Sequence, residues 1–307
     1  MNRFEETFAG KLLLAPMEDV TEPPFRLSAR RLGADVVYTE FINAEGLIRD
    51  ARKAKAKLFF HEEERPLGIQ IYGGDEENLA EAARISESAG PDFIDINCGC
   101  WVKDVAMRGA GAGLLKDLPK MGRIAEKIVS TVNLPVTLKT RLGWDENSIV
   151  IVDVARMLEG IGIRALTVHC RLRSQGNKGE ADWTWVKRIK DEGVSIPIIL
   201  NGNIKNPEDV KHVFENFMPD AVMIGQTAIS NPFIFRQSKQ FLSEGFYDEP
   251  TVGERVDHCI EHLRLSVEYK GEKYGVREFR KHYSGYLRGL RDVSKFRLEL
   301  MQYEEFE

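Results

Sequence analysis

An amide and two thiols stand together in Asn97-Cys98-Gly99-Cys100, directly after a short apolar stretch. Residues 93–97 read as a buried strand, and a strand that stops on such groups holds them at a rim where chemistry reaches them. Cys100 is the candidate acid. A thiol with an unperturbed pKa of about 8.5 delivers a proton at neutral pH, and a nearby cation tunes how readily it does so. Free cysteines are usually small buried hydrophobes instead. The intervening Gly99, the preceding Asn97 and the glycine-rich loop that follows, Arg108-Gly109-Ala110-Gly111-Ala112-Gly113, favour a site.

Other groups suited to chemistry close other apolar runs: Met17, Glu40, Gln70, Lys139 with Arg141, His169, Asn201 and Gly225. Lys139 lies inside a strand, where an unpaired cation is costly to bury. An anionic or electron-rich ligand would explain it, as would a buried ion pair with Glu40 or Asp95. His169 is followed by Cys170, Arg171 and Arg173, and arginine matches phosphate geometry. Asn201-Gly202-Asn203-Ile204 and Met223-Ile224-Gly225-Gln226-Thr227 fit a backbone phosphate site, or else a pair of tight turns. His169, Cys170, Cys98 and Cys100 have no spacing that presets a tetrahedron, so no metal is expected.

These residues need elements to bring them together. Eight short runs rich in Val, Ile and Leu read as strands: 11–15, 36–39, 67–72, 93–97, 136–141, 165–169, 196–201 and 221–225. They show little alternation, as strands buried on both faces do. Each is followed by a segment of crossover length. Eight βα units point to a TIM (β/α)8 barrel, with a doubly wound open sheet as the rival. The barrel is favoured because its strand ends converge on one mouth. Residues 1–243 are assigned to this α/β catalytic domain. Residues 244–307 are assigned to a small all-helical domain, with helices at 252–269, 276–290 and from 294 onward. Over 264–297 ten basic residues outnumber four acidic ones, a local balance of +6 against −5 for the chain. Together with Tyr283, Tyr286 and His282 this run reads either as a solvated helix face or as an RNA-facing surface.

The 307 residues, 43% hydrophobic and 30% charged, suffice for one large barrel core. Four cysteines at irregular spacing suggest a reducing, cytoplasmic compartment rather than a disulfide framework. No signal peptide or membrane-spanning run is evident, and the overall charge gives no global reason for nucleic-acid binding.

Taken together, the chain resembles the dihydrouridine synthases, in particular the bacterial B type. The resemblance rests on Leu14-Ala15-Pro16-Met17-Glu18, Tyr38-Thr39-Glu40-Phe41, Gln70-Ile71-Tyr72-Gly73 and Asp95-Ile96-Asn97-Cys98-Gly99-Cys100. It continues through the glycine-rich loop to Lys116-Asp117, then Lys139-Thr140-Arg141-Leu142-Gly143-Trp144-Asp145, Val168-His169-Cys170-Arg171, Asn201-Gly202-Asn203-Ile204, Met223-Ile224-Gly225 and the helical stretch from Arg280 to Leu290. It implies reduction of uridine in tRNA to 5,6-dihydrouridine, with FMN as cofactor and NADPH as electron donor. By resemblance, Pro16, Met17, Gln70, Lys139, His169, Asn201, Gly202, Asn203, Gly225 and Gln226 would hold FMN. Hydride would reach C6 of the base, and Cys100 would protonate C5. Asn97, Arg141 and Arg171 would grip the uracil and its neighbouring phosphate, Lys103 would lie on a closing loop, and Arg280, Lys281 and Arg288 would hold the RNA. A monomer is expected.

The chain departs from the family pattern at four places. Trp101 stands where Pro is usual after the catalytic Cys, Cys170 replaces Gly, Gln226 replaces Arg, and Asn203 stands where Asp or Gly is commoner. These changes leave open another RNA substrate such as ribosomal RNA. A small-molecule flavin reductase of the dihydroorotate dehydrogenase type, or an RNA-binding protein without catalysis, are the other readings. The basic helices argue against a small substrate, and flavin colour would exclude the last.

Overall fold

The computed structural model describes residues 4–306. Its core is a parallel sheet of nine strands: β1 (Lys11–Leu14), β2 (Val37–Tyr38), β3 (Ile42–Asn43), β4 (Leu67–Tyr72), β5 (Phe93–Cys98), β6 (Val136–Arg141), β7 (Leu166–His169), β8 (Ile198–Asn201) and β9 (Ala221–Ile224). The strands follow one another in the order β1-β9-β8-β7-β6-β5-β4-β2, and β3 also pairs with β4. A parallel bridge between Leu13 and Val36 closes the ring, with Leu14 N donating to Val36 O at 2.9 Å. This is the expected barrel. Closure leaves no sheet edge, so every strand is buried on both faces and needs no polar side.

The run at 36–39 is split. Only Val37–Tyr38 pairs in register, and Ile42–Asn43 rejoins β4 one turn later. The chain detours so that Glu40 can turn in and accept the Asp19 amide at 2.7 Å. Two short helices follow β3, Ala44–Ile48 and Arg52–Ala56, separated where Asp50 adopts a φ of 61°.

The barrel has a dry end and a polar end. Phe8, Tyr38 and Phe93 pack edge to face at the closed end, with centroids 6.0 Å and 5.3 Å apart for the Phe8–Phe93 and Tyr38–Phe93 pairs. Above them register sets Gln70 beside Asp95 and Asp95 beside Thr137, then Asn97 beside Lys139 and Arg141 beside His169. Apolar side chains fill the shell between the strands and the outer helices.

The C-terminal helices begin at a capping box, where Thr251 Oγ1 accepts Glu254 N and Glu254 accepts Thr251 N. Helix Val252–Lys270 is followed by Glu272–Phe279, a 3-10 turn at Arg280–His282, Tyr283–Tyr286 and Val293–Leu300. The single helix predicted over 276–290 is therefore in pieces. Residues 280–286 tighten because His282, Tyr283 and Tyr286 turn inward. All three are buried, so they do not form the RNA-facing surface suggested by the sequence. His282 stacks on Phe25 of helix Pro23–Arg31, and Tyr286 joins Leu32, Phe233 and Phe279 in a separate apolar cluster. Ion pairs from Lys270 to Glu22 and from Arg31 to Glu261 ring that junction.

Gly285 sits where the helices touch the barrel, and a Cβ there would lie 2.2 Å from the Ile229 carbonyl oxygen. Two backbones cannot both give way, so Gly285→Ala is expected to lower stability by about 1–3 kcal/mol. Gly160, inside helix Ile151–Ile161, meets nothing within 4 Å. Gly160→Ala is expected to raise stability by about 0.5–1 kcal/mol. Thermal unfolding of both variants checks the pair of opposite signs.

Candidate active site

The polar end of the barrel opens into a cavity of about 700 Å³. That is within the roughly 300–1,000 Å³ common for cofactor and ligand sites. Thirteen of the sequence-predicted residues line it: Pro16, Met17, Asn97, Cys100, Lys139, Arg141, His169, Arg171, Asn201, Gly202, Asn203, Gly225 and Gln226.

Cys100 is held on a tight turn. Asn97 Oδ1 accepts both Gly99 N at 3.0 Å and Cys100 N at 2.9 Å. Arg141 Nε donates to Gly99 O at 2.9 Å, and its Nη1 donates to Leu172 O and Gly176 O, tying this turn to the loop after β7. Burial pushes the Cys100 thiol up, while the Val102 amide and Arg141 pull the other way. The thiol is therefore protonated at neutral pH. Cys98 and Cys170 are fully buried, and burial raises both, Cys170 to about 12.

Three cations meet around the thiol. Lys139 Nζ donates to the neutral amide oxygen of Asn201 at 2.9 Å, not to Glu40 or Asp95. Burial, then the nearby Arg141 charge, lowers Lys139 to about 8. Burial, then Arg171, lowers Arg141 to about 10. Arg171 Nη2 donates to Gly179 O at 2.8 Å and to Asn203 Oδ1 at 2.9 Å. Among the described residues none of the three forms an ion pair with a carboxylate. Three cations with no carboxylate in direct contact leave this part of the cavity electropositive and suited to an anionic or electron-rich guest.

His169 is neutral. Burial, then Arg141 and Lys139, holds it well below its usual range. Its Nε2 lies 3.1 Å from Arg171 Nη1. A guanidinium only donates, so Nε2 accepts and Nδ1 carries the hydrogen. Gly202 has a φ of 108°, and a Cβ there would lie 2.8 Å from the His169 ring. The glycine thus lets the ring lie flat beneath the loop, and Trp183 Nε1 donates to the Gly202 carbonyl at 2.9 Å. The second loop is tied to the first by the Thr227 hydroxyl, which donates to Ile204 O.

Five predicted residues lie elsewhere. Gln70 is fully buried beneath the cavity floor, donating to Asp95 at 2.6 Å and accepting from Asn97 at 2.8 Å. Lys103 is exposed at the start of the short helix Lys103–Met107. Lys281 donates to the Asp19 carbonyl, Arg280 to the Tyr303 carbonyl at 3.0 Å, and Arg288 is exposed on the helical segment. Asp95 and Thr137 were not singled out as functional groups in the sequence. A carboxylate inside an apolar strand, two positions before Asn97, was the available signal.

Residues 13–307 match the family model described as dihydrouridine synthase (Dus). The chain is 38% identical over 300 residues to a tRNA-dihydrouridine synthase B of Pseudomonas aeruginosa, covering 97% of this chain and 90% of that protein. It is 37% identical to the tRNA-dihydrouridine synthase B of Vibrio vulnificus, over 94% of this chain and 89% of that one. The chain belongs to the dihydrouridine synthase family. Among solved structures, morphinone reductase in complex with tetrahydroNAD superposes with a TM-score of 0.54 at 13% identity, over 78% of this chain and 88% of that one. At that identity the likeness speaks for the barrel alone.

The departures of this dihydrouridine synthase have distinct structural meanings. Trp101 is 41% exposed at the cavity mouth, its ring against Gly176. Cys170 is packed in the core. Asn203 takes a φ of 64°, which asparagine tolerates. Gln226 is exposed at the rim.

The thiol environments predict an order of alkylation. With iodoacetamide on the native protein, Cys100 is expected to react before Cys98, Cys170 and Cys259. Its rate should climb as pH rises into and beyond the ordinary thiol range. Peptide mapping against time reads both; prior labelling of Cys98 or Cys170 would contradict the geometry.

Proposed function

We propose that this protein reduces uridine in tRNA to 5,6-dihydrouridine, with FMN held at the barrel mouth and NADPH as the donor. The observation that carries the reading is the placement of a protonated thiol, Cys100, in one cavity with three cations that have no carboxylate partners. The cavity fits the cofactor. Lys139 offers a buried ammonium held only by a neutral amide, and the Gly202-Asn203 and Gly225-Gln226 loops present backbone next to strands that commonly hold phosphate. Pro16 and Met17 form an apolar wall of the same cavity. FMN held there would supply the hydride for C6 of the uracil.

The remaining work falls to the chain. The Cys100 Sγ–H bond breaks as the new C–H bond at C5 forms, so the base gains one hydride and one proton. The thiolate left behind faces Arg141 and the Val102 amide, which stabilise it until solvent returns a proton. Arg141 and Arg171 are anchored to backbone carbonyls, so they stand ready for a carbonyl or phosphate oxygen without rearrangement. The target base must leave its stack to reach the cavity, and Trp101 at the mouth offers a face for a neighbouring base. Residues 1–243 are the catalytic unit in this reading, and residues 244–307 hold RNA through exposed basic side chains, Arg288 among them. The described residues include no helix long and apolar enough to cross a membrane.

Dihydrouridine content of RNA from cells lacking the gene tests the reading directly; an unchanged count in tRNA would remove it. Cys100→Ala is expected to retain FMN and its reduction by NADPH while product formation falls about 10²-fold or more, as loss of a general acid does. Stopped-flow measurement of the two half-reactions separates them. Gln226→Arg is expected to tighten FMN binding, read by fluorimetric titration of the apoprotein.

A further inference from the structure

A continuous chain of buried hydrogen bonds runs from the centre of the barrel to the turn that carries Cys100. Thr137 Oγ1 donates to Asp95 Oδ1 at 2.5 Å. Gln70 Nε2 donates to Asp95 Oδ2 at 2.6 Å, and Gln70 Oε1 accepts from Asn97 Nδ2 at 2.8 Å. Asn97 Oδ1 then accepts the amides of Gly99 and Cys100. Asp95 and Gln70 are both 0% exposed, so no water competes for these positions.

The direction of the chain is dictated from its outer end. Two backbone N–H groups can only donate, so Asn97 must face them with its oxygen. Its NH2 therefore faces Gln70, which must present its oxygen and turn its own NH2 toward residue 95. Position 95 must then accept. Were it unable to, the Gln70 amide would be free to turn over, Asn97 would follow, and an NH2 would oppose two amides. Leaving such buried donors unmatched is costly.

We propose that Asp95 is a positioning residue for Cys100, acting through Gln70 and Asn97 to fix the turn that presents the thiol. The proposal rests on the reading of Cys100 as the proton donor. Asp95 touches neither the cavity nor the thiol; its carboxylate sets the orientation of two amides in series. Burial raises this carboxyl to about 6, opposed by Gln70 and Thr137, which leaves it mainly ionised at neutral pH.

The test compares Asp95→Leu, Asp95→Asn and Gln70→Met in the full-length, flavin-loaded protein. Leucine keeps the volume and removes the acceptor. Asparagine keeps an oxygen for Gln70 and can give its NH2 to the Thr137 hydroxyl, so it serves as the conservative rescue. Gln70→Met cuts the chain at its next link. The readout is the iodoacetamide rate at Cys100, followed by peptide mapping, beside the single-turnover rate at which RNA reoxidises the reduced enzyme. Asp95→Leu and Gln70→Met are expected to speed alkylation about tenfold by freeing the turn, and to slow reoxidation, while Asp95→Asn stays within about twofold of wild type. A space-filling role for residue 95 would favour leucine over asparagine and leave the thiol unchanged. Wild-type alkylation in Asp95→Leu, or equal rates in the Leu and Asn variants, overturns the proposal. If Asp95→Leu does not fold, Gln70→Met decides, and a wild-type alkylation rate there overturns it. Wild-type enzyme that never reduces RNA would sink the functional reading instead, since the alkylation comparison needs no RNA.

Discussion

One amide oxygen, on Asn97, accepts two consecutive backbone N–H groups, and that pair of bonds decides where the Cys100 thiol stands. Everything around it is arranged to keep the oxygen aimed outward. The strand below supplies the rigid base, the register with β4 and β6 places Gln70, Asp95 and Thr137 in line, and barrel closure keeps them dry. A reactive side chain on a loop is only as well placed as the groups that hold the loop. Here those groups come from strands, the stiffest parts of the fold.

Around that anchor the barrel tolerates an unusual concentration of positive charge. Arg141 and Arg171 are stabilised by backbone carbonyls of the very loops they position, rather than by carboxylates. Carbonyl dipoles solvate a guanidinium without cancelling its charge, so the cavity retains its field. Burial and mutual repulsion make Lys139 the most easily deprotonated of the three. A guest carrying negative charge would relieve that repulsion.

The helical segment divides its basic residues between two tasks. Lys270 pairs with Glu22 and Glu278, and Lys281 reaches the Asp19 carbonyl beside the mouth, so both help seat the segment on the barrel. Lys273, Arg277, Arg288, Arg291, Lys295 and Arg297 remain exposed. The aromatic residues threaded among them, His282, Tyr283 and Tyr286, are the docking core and not part of the basic face.

The barrel and thirteen of the residues that line its cavity were legible because each signal is local. A buried parallel strand reads as an apolar run, and the residue that ends it faces the mouth whatever the loops do. The glycine-rich loops and the Asn97 to Cys100 stretch were legible for the same reason. Whether Gln70 looks into the cavity or supports its floor was not local, because it depends on the height of β4 relative to β5. Nor was the inward turn of His282, Tyr283 and Tyr286, which needs the surface of helix Pro23–Arg31 to pack against. Asp95 reads in sequence as one polar residue in an apolar strand; only three neighbouring strands at fixed register turn it into the inner end of a chain that reaches the thiol.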